Sequence, residues 1–211
     1  MDRDLAQKKK NRTIRQYLKS CAGMTLTEML AAVLILSMTA TAVGGGVSVV
    51  KNVYKKTTQK AEAQMVLTTT VELITDFLSD AQQVKVGHTD GPAFYSAETG
   101  TWMRLVSEPY NPENGETETT AGICKAYNVG EDGAGDGTIR VPLMTEEAMD
   151  GIFYTDFAAD QNGEYMYEYS NGYFTVKNIN VYYKADADNP KRVPMAHLDE
   201  LVVHAVNLEG Q

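Results

Sequence analysis

Gly23-Met24-Thr25-Leu26-Thr27-Glu28-Met29-Leu30 lies where a basic segment gives way to a long apolar run. No residue from Met29 to Val50 is charged, and Glu28 stands on the threshold of that run. A bilayer is spanned by ~20 consecutive apolar residues, so Leu30–Val50 is long enough to cross one. A carboxylate at the centre of a membrane helix costs ~2.5–3.5 kcal/mol. An acid placed beside such a run needs a partner or a purpose.

The run does not end in a loop. From Val53 to Val84 apolar residues recur at helical spacing: Tyr54, Ala61, Met65, Val71, Ile74, Phe77, Leu78, Ala81 and Val84. Lys, Gln, Glu and Asp fill the other face, and no proline interrupts residues 24–91. This pattern predicts one helix from about Thr25 to about Gln83, roughly 90 Å long at 1.5 Å per residue. Its first half (24–50) is apolar all round and suits lipid or other helices. Its second half (51–84) is amphipathic and suits a sheet packed along one side. Gly44-Gly45-Gly46 falls inside it, and each glycine costs ~1 kcal/mol relative to alanine. The triplet reads either as a point of close helix packing or as a soft point that unwinds during assembly. The second reading is preferred, because three glycines exceed what packing needs.

The segment 23–30 resembles the cleavage and methylation motif of type IV prepilins and type II secretion pseudopilins. The resemblance covers roughly residues 8–60. It implies that a prepilin peptidase removes a leader, residues 1–23, by cutting after Gly23, and methylates the new N-terminus, Met24. It also implies that Glu28 is the assembly carboxylate, docking each subunit onto its neighbour. The Met24 amine would lie one helical turn before Glu28, within reach of an ion pair. Two residues depart from the common pattern: Met24 replaces a phenylalanine and Thr27 a more apolar residue. The first position stays apolar and the glutamate remains. Related pilins also carry a helix-breaking residue near the place of Gly44–Gly46.

Charge divides the chain. The 211-residue protein has net charge −9, yet residues 1–23 carry seven basic and two acidic residues, leaving −14 on the remainder. An acidic body argues against direct nucleic-acid binding, which relies on Lys and Arg against phosphates. The basic leader favours a cytoplasmic N-terminus, although Lys51, Lys55, Lys56 and Lys60 follow the span. The expected precursor is a single-pass cytoplasmic-membrane protein whose C-terminal part is exported. After assembly it would stand in a cell-surface or extracytoplasmic filament.

Two competitors share these features. A secretory signal peptide would use Met29–Leu36 as its apolar region and Ala40-Thr41-Ala42 as its cleavage site, starting the mature chain at Val43. Glu28 beside the apolar region, and the helical pattern running through that site, weigh against it. An uncleaved signal anchor is the other. Either would make the chain a secreted or membrane-anchored binding protein that forms no filament. Leu18-Lys19-Ser20-Cys21 loosely copies a lipobox but precedes the apolar run instead of following it.

Past Val84 the pattern changes to short strands and turns. Thr101–Val106, Ile123–Val129 and Thr138–Met144 read as strands. Glu164–Tyr169 alternates with period two into an Asn171-Gly172 turn, with Tyr173–Lys184 returning and Leu198–Leu208 last. Residues 85–211 are therefore expected to form an antiparallel sheet of four or more strands on the helix. The fold class is α+β, in agreement with the pilin fold that the N-terminal motif implies. Residues 109–122 and 130–137 read as polar loops.

No nucleophile elbow, zincin motif, P-loop or dinucleotide fingerprint occurs, so no catalytic residue is assigned and no enzyme activity is expected. No cofactor is implied. Glu131, Asp132 and Asp136 share a glycine-rich loop, and Asp186, Asp188 and Asn189 another. Both read as solvated acidic turns, with calcium as the alternative. His88, His197 and His204 lack zinc-ligand spacing. Tyr165, Tyr167 and Tyr169 read as sheet packing, with an exposed aromatic ladder for glycans or proteins as the alternative. Cys21 would leave with the leader, so Cys124 is expected to be an inert buried thiol. The expected partners are other pilin subunits, the peptidase, a membrane assembly platform and, before assembly, the lipid bilayer.

Overall fold

A computed structural model describes residues 25–88, 90–108, 122–130, 135, 137–157, 166–186, 189 and 192–206. The chain divides into two compact units, Met1–Lys55 and Lys56–Gln211.

Helix α1 runs over Leu26–Ser79. It begins at Thr25, whose backbone N–H and hydroxyl both donate to Glu28 Oε2 at 2.9 Å. The Glu28 N–H donates back to Thr25 Oγ1 at 3.3 Å. This is a capping box, which satisfies backbone donors that an open helix end leaves without partners. Within the first unit every described residue is exposed. The helix passes unbroken through Gly44, Gly45 and Gly46, and a Cβ at any of them would meet nothing within 4 Å.

In the second unit α1 buries Ala63, Val66, Thr70, Ile74, Phe77 and Leu78. Their spacing is helical, but the stripe is displaced from the one expected at its start. Tyr54 and Met65 are 71% and 72% exposed, and Ala61 is exposed too. The polar member, Thr70, is accommodated because its hydroxyl donates to Val66 O at 2.7 Å.

The helix also ends earlier than Gln83. Val206 N–H donates to Ser79 O, and Asp80 Oδ2 accepts from the Ser96 hydroxyl at 3.1 Å. The chain then enters β1 (Ala81–Lys85). The strand carries a register shift between Ala81 and Gln83. That irregularity lets both Ala81 and Val84 reach the core, imitating a helical i, i+3 pair.

The strands form two antiparallel sheets, not one. The first is a meander in the order β1, β2 (Ala93–Ser96), β3 (Thr101–Glu108), β4 (Gly122–Tyr127), β5 (Ile139–Pro142). The second is built around β8 (Tyr173–Tyr183). One half of β8 pairs with β7 (Tyr167–Ser170) and the other with β6 (Phe153–Asp156), while β9 (Ala196–His204) pairs along its length. Asn171 and Gly172 take φ of 53° and 87° at the β7–β8 turn, the positive values that a two-residue type I′ hairpin requires. Asn178 (φ 53°) lies where β8 changes partner from β7 to β6.

Both sheets and the second part of the helix share one core. The Phe77 and Phe94 rings meet at 4.8 Å, and Phe94 meets Phe174 at 5.8 Å. These three residues come from α1, the first sheet and the second sheet. Gly91 (φ 99°) lets the β1–β2 link approach Tyr167, since a Cβ there would lie 2.6 Å from the Tyr167 ring. The architecture is α+β: a long N-terminal helix, apolar in its first part, packed in its second part on antiparallel sheets.

Candidate functional site

The start of α1 is the site the sequence points to. Gly23 and Met24 lie outside the described residues. Glu28 is exposed, and its carboxylate is already occupied by Thr25 within its own chain. The capping box therefore gives Glu28 a local role that needs no second subunit. A carboxylate has about four lone-pair sites, so accepting from Thr25 leaves capacity for a further donor.

Around and beyond Glu28 the helix presents fourteen large hydrophobic residues from Leu26 to Tyr54, each at least 54% exposed. Fully burying one such side chain is worth ~1.5–3 kcal/mol. Leaving all of them in water forfeits tens of kcal/mol, more than the ~5–15 kcal/mol that holds a typical domain together. Such a surface is unfavourable in water and suits an apolar environment. The helix is long and apolar enough to cross a membrane. The hydroxyls of Ser37, Thr39 and Thr41 do not break this surface, because each donates to a carbonyl one turn back in the same helix.

The other candidates lie past Val84 in the sequence. Glu131, Asp132, Asp136 and Asp188 lie outside the described residues; Asp186 and Asn189 are exposed. Among the described residues no cluster of His, Cys, Asp and Glu is placed to hold a metal ion. His197 is held between Asn180 Oδ1 at 2.8 Å and Asp199 Oδ1 at 2.7 Å, and His204 lies against the Tyr173 ring at 4.9 Å. Tyr165 lies outside the described residues. Tyr167 is buried and stacks on Phe174 at 5.9 Å, and Tyr169 is half-buried against the same ring. Sheet packing, not an exposed ladder, is what these two tyrosines do.

Cys124 is fully buried in β4, and burial pushes its thiol up to about 12. The reactive species is the thiolate, so at pH 8 only about one thiol in ten thousand would be ionised. Iodoacetamide is expected to leave the Cys124 peptide unmodified in the native protein at pH 8 and to label it fully in denaturant, as read by mass spectrometry. Rapid native labelling would contradict the burial.

Two groupings had no distinct signal in the sequence. Arg192 reaches Asp156 at 3.2 Å and lies 4.7 Å over the Tyr182 ring, which stacks on Tyr154. Burial pushes the Tyr154 hydroxyl up to about 12, while the Arg192 charge pulls it down. This clasp fastens the chain before β9 to the second sheet. The other grouping surrounds Trp102, whose partners Tyr95 and Lys85 come from neighbouring strands. Comparison with known protein families, with curated proteins and with solved structures finds no match.

Proposed function

We propose that the chain is a type IV pilin-like structural subunit, processed by a prepilin peptidase and assembled through its apolar helix into a pilus or pseudopilus. The observation that carries this reading is the pairing of an all-round apolar, exposed helix with a lone carboxylate at its start, on a helix that continues into a folded α+β body. One surface then serves two states. Lipid covers it in the precursor, and neighbouring helices cover it in the filament. Both environments are apolar, so transfer between them forfeits little hydrophobic stabilisation.

Glu28 gives the transfer direction. In hydrocarbon its charge is costly, and a neighbour's Met24 amine would neutralise it. That pairing would select one axial stagger among the many that a greasy helix allows. The acidic body, held outside, keeps exposed surfaces apart in solution. The unbroken helix through Gly44–Gly46 is the precursor conformation in this scheme, and the open space around those glycines leaves the segment room to lose helicity on assembly.

The test is the native N-terminus, read by mass spectrometry from the protein's own membranes. N-methylated Met24 is the expected result. A start at Val43 would overturn the reading in favour of a secreted binding domain. Replacing Gly23 with leucine is expected to leave the full precursor uncut in the membrane, because the peptidase must admit this residue beside the scissile bond. Normal cleavage of that variant would refute the assigned site.

A further inference from the structure

Gln83, Tyr95 and Trp102 are consecutive cross-strand partners on β1, β2 and β3. The neighbouring row, Val84, Phe94 and Met103, points into the core. Side chains alternate across a strand, so the Gln83–Tyr95–Trp102 row lies on the opposite face of the sheet. The Tyr95 and Trp102 rings meet edge to face at 5.9 Å, and both residues are only half-buried. The Lys85 ammonium lies 4.4 Å from the Trp102 ring centroid. Asn128, exposed just past β4 with φ 61°, closes the row on the far side. With Thr101 these residues line an open cleft of about 580 Å³. Sites for small ligands run ~300–1,000 Å³.

A cross-strand aromatic pair by itself contributes ~0.2–1 kcal/mol to a sheet. That accounts for the two rings touching. It does not account for a cleft beside them, flanked by primary amides at both ends.

We infer that this cleft binds a neutral oligosaccharide. A pyranose ring has an apolar C–H face and a rim of hydroxyls. The Trp102 and Tyr95 rings supply flat apolar surface for the first. The Gln83 and Asn128 amides both donate and accept, as paired hydroxyls require, one Asn128 N–H being turned to the Thr138 hydroxyl at 3.4 Å. Among the described residues lining the cleft the charged one is Lys85, and its ammonium rests on the indole, where a cation–π contact at an exposed site is worth only ~0.5–1 kcal/mol. A sugar ring can displace it. An acidic polymer would instead meet a body carrying a net −14 once residues 1–23 are set aside. The inference does not depend on whether the chain assembles into a filament.

Trp102 is the chain's one tryptophan, so its emission reports on this cleft alone. The full-length chain, in a detergent without a sugar headgroup, is titrated with neutral trisaccharides of glucose, galactose, mannose and N-acetylglucosamine, and with trigalacturonate. At least one neutral probe is expected to give a saturable emission change. Tyr95→Ala is expected to weaken it about tenfold, the scale of one lost aromatic contact. Lys85→Gln is expected to retain it. Circular dichroism checks the fold of each variant, and exposed Gln83→Ala replaces Tyr95→Ala if the latter fails to fold. No saturable change with any neutral probe overturns the inference. So does a response confined to trigalacturonate and abolished by Lys85→Gln, which would make the cleft an anion site.

Discussion

Glu28→Gln is expected to leave synthesis, export and helix formation intact while removing most of the protein from filaments. The glutamine carbonyl can still accept from the Thr25 N–H and hydroxyl, so the capping box persists. What it lacks is the charge that would pair with a neighbour's amine. Removing one partner of a buried ion pair costs ~3–5 kcal/mol. That corresponds to more than about a hundredfold in the equilibrium for adding each subunit. Glu28→Ala is expected to lose filaments too, with an additional ~1 kcal/mol of helix-end stability from the lost cap. The measurement is the ratio of sheared filament to membrane-held protein by quantitative immunoblot. Wild-type filament levels from Glu28→Gln, with only Glu28→Ala impaired, would reduce Glu28 to a helix cap and sink its assembly role.

Phe94→Ala is expected to destabilise the sheet body by ~3–5 kcal/mol, the cost of deleting a buried phenyl ring and leaving its cavity. Phe94 is fully buried and is the ring that touches both Phe77 and Phe174. Its removal loosens helix and both sheets together, against a total stability of ~5–15 kcal/mol. Met65→Ala is the matched comparison. Met65 is 72% exposed, so the change is expected to stay within about 0.5 kcal/mol. Urea unfolding followed by far-ultraviolet circular dichroism measures both. Equal costs at the two positions would mean the helix is rotated relative to the stripe described above.

The contrast between Met65 and Val66 illustrates how far helical periodicity reaches. A 3.6-residue pattern signals that α1 is amphipathic between Ala63 and Leu78, but several phases fit a stretch containing both Met65 and Val66. The contact with Phe153 and Val181 selects the phase, and those residues are about ninety or more positions away. The end of α1 was illegible for a similar reason. Ala81 and Val84 fit a helix as well as a bulged strand, and only pairing with β2 distinguishes them. The Asn171-Gly172 hairpin, by contrast, was legible because its positive φ values are a property of two adjacent residues. The short strands β2 and β6 carry no alternation long enough to register, and so two sheets were expected as one. Trp102 gave no signal because its surroundings, Tyr95, Gln83 and Asn128, come from two other strands and a turn.

The sequence by itself determined the apolar and charged blocks of the N-terminal half, the lone acid at their junction, the long helix and the α+β class. These follow from composition and local spacing, which act over a few residues. Only the tertiary structure decided which stripe of the helix is buried, that the strands divide between two sheets around Phe94, and that Tyr167 and Tyr169 pack on Phe174 while half-buried Tyr95 and Trp102 meet on the other face of the first sheet. Burial depends on partners far apart in the chain, and no local pattern records which of them will meet.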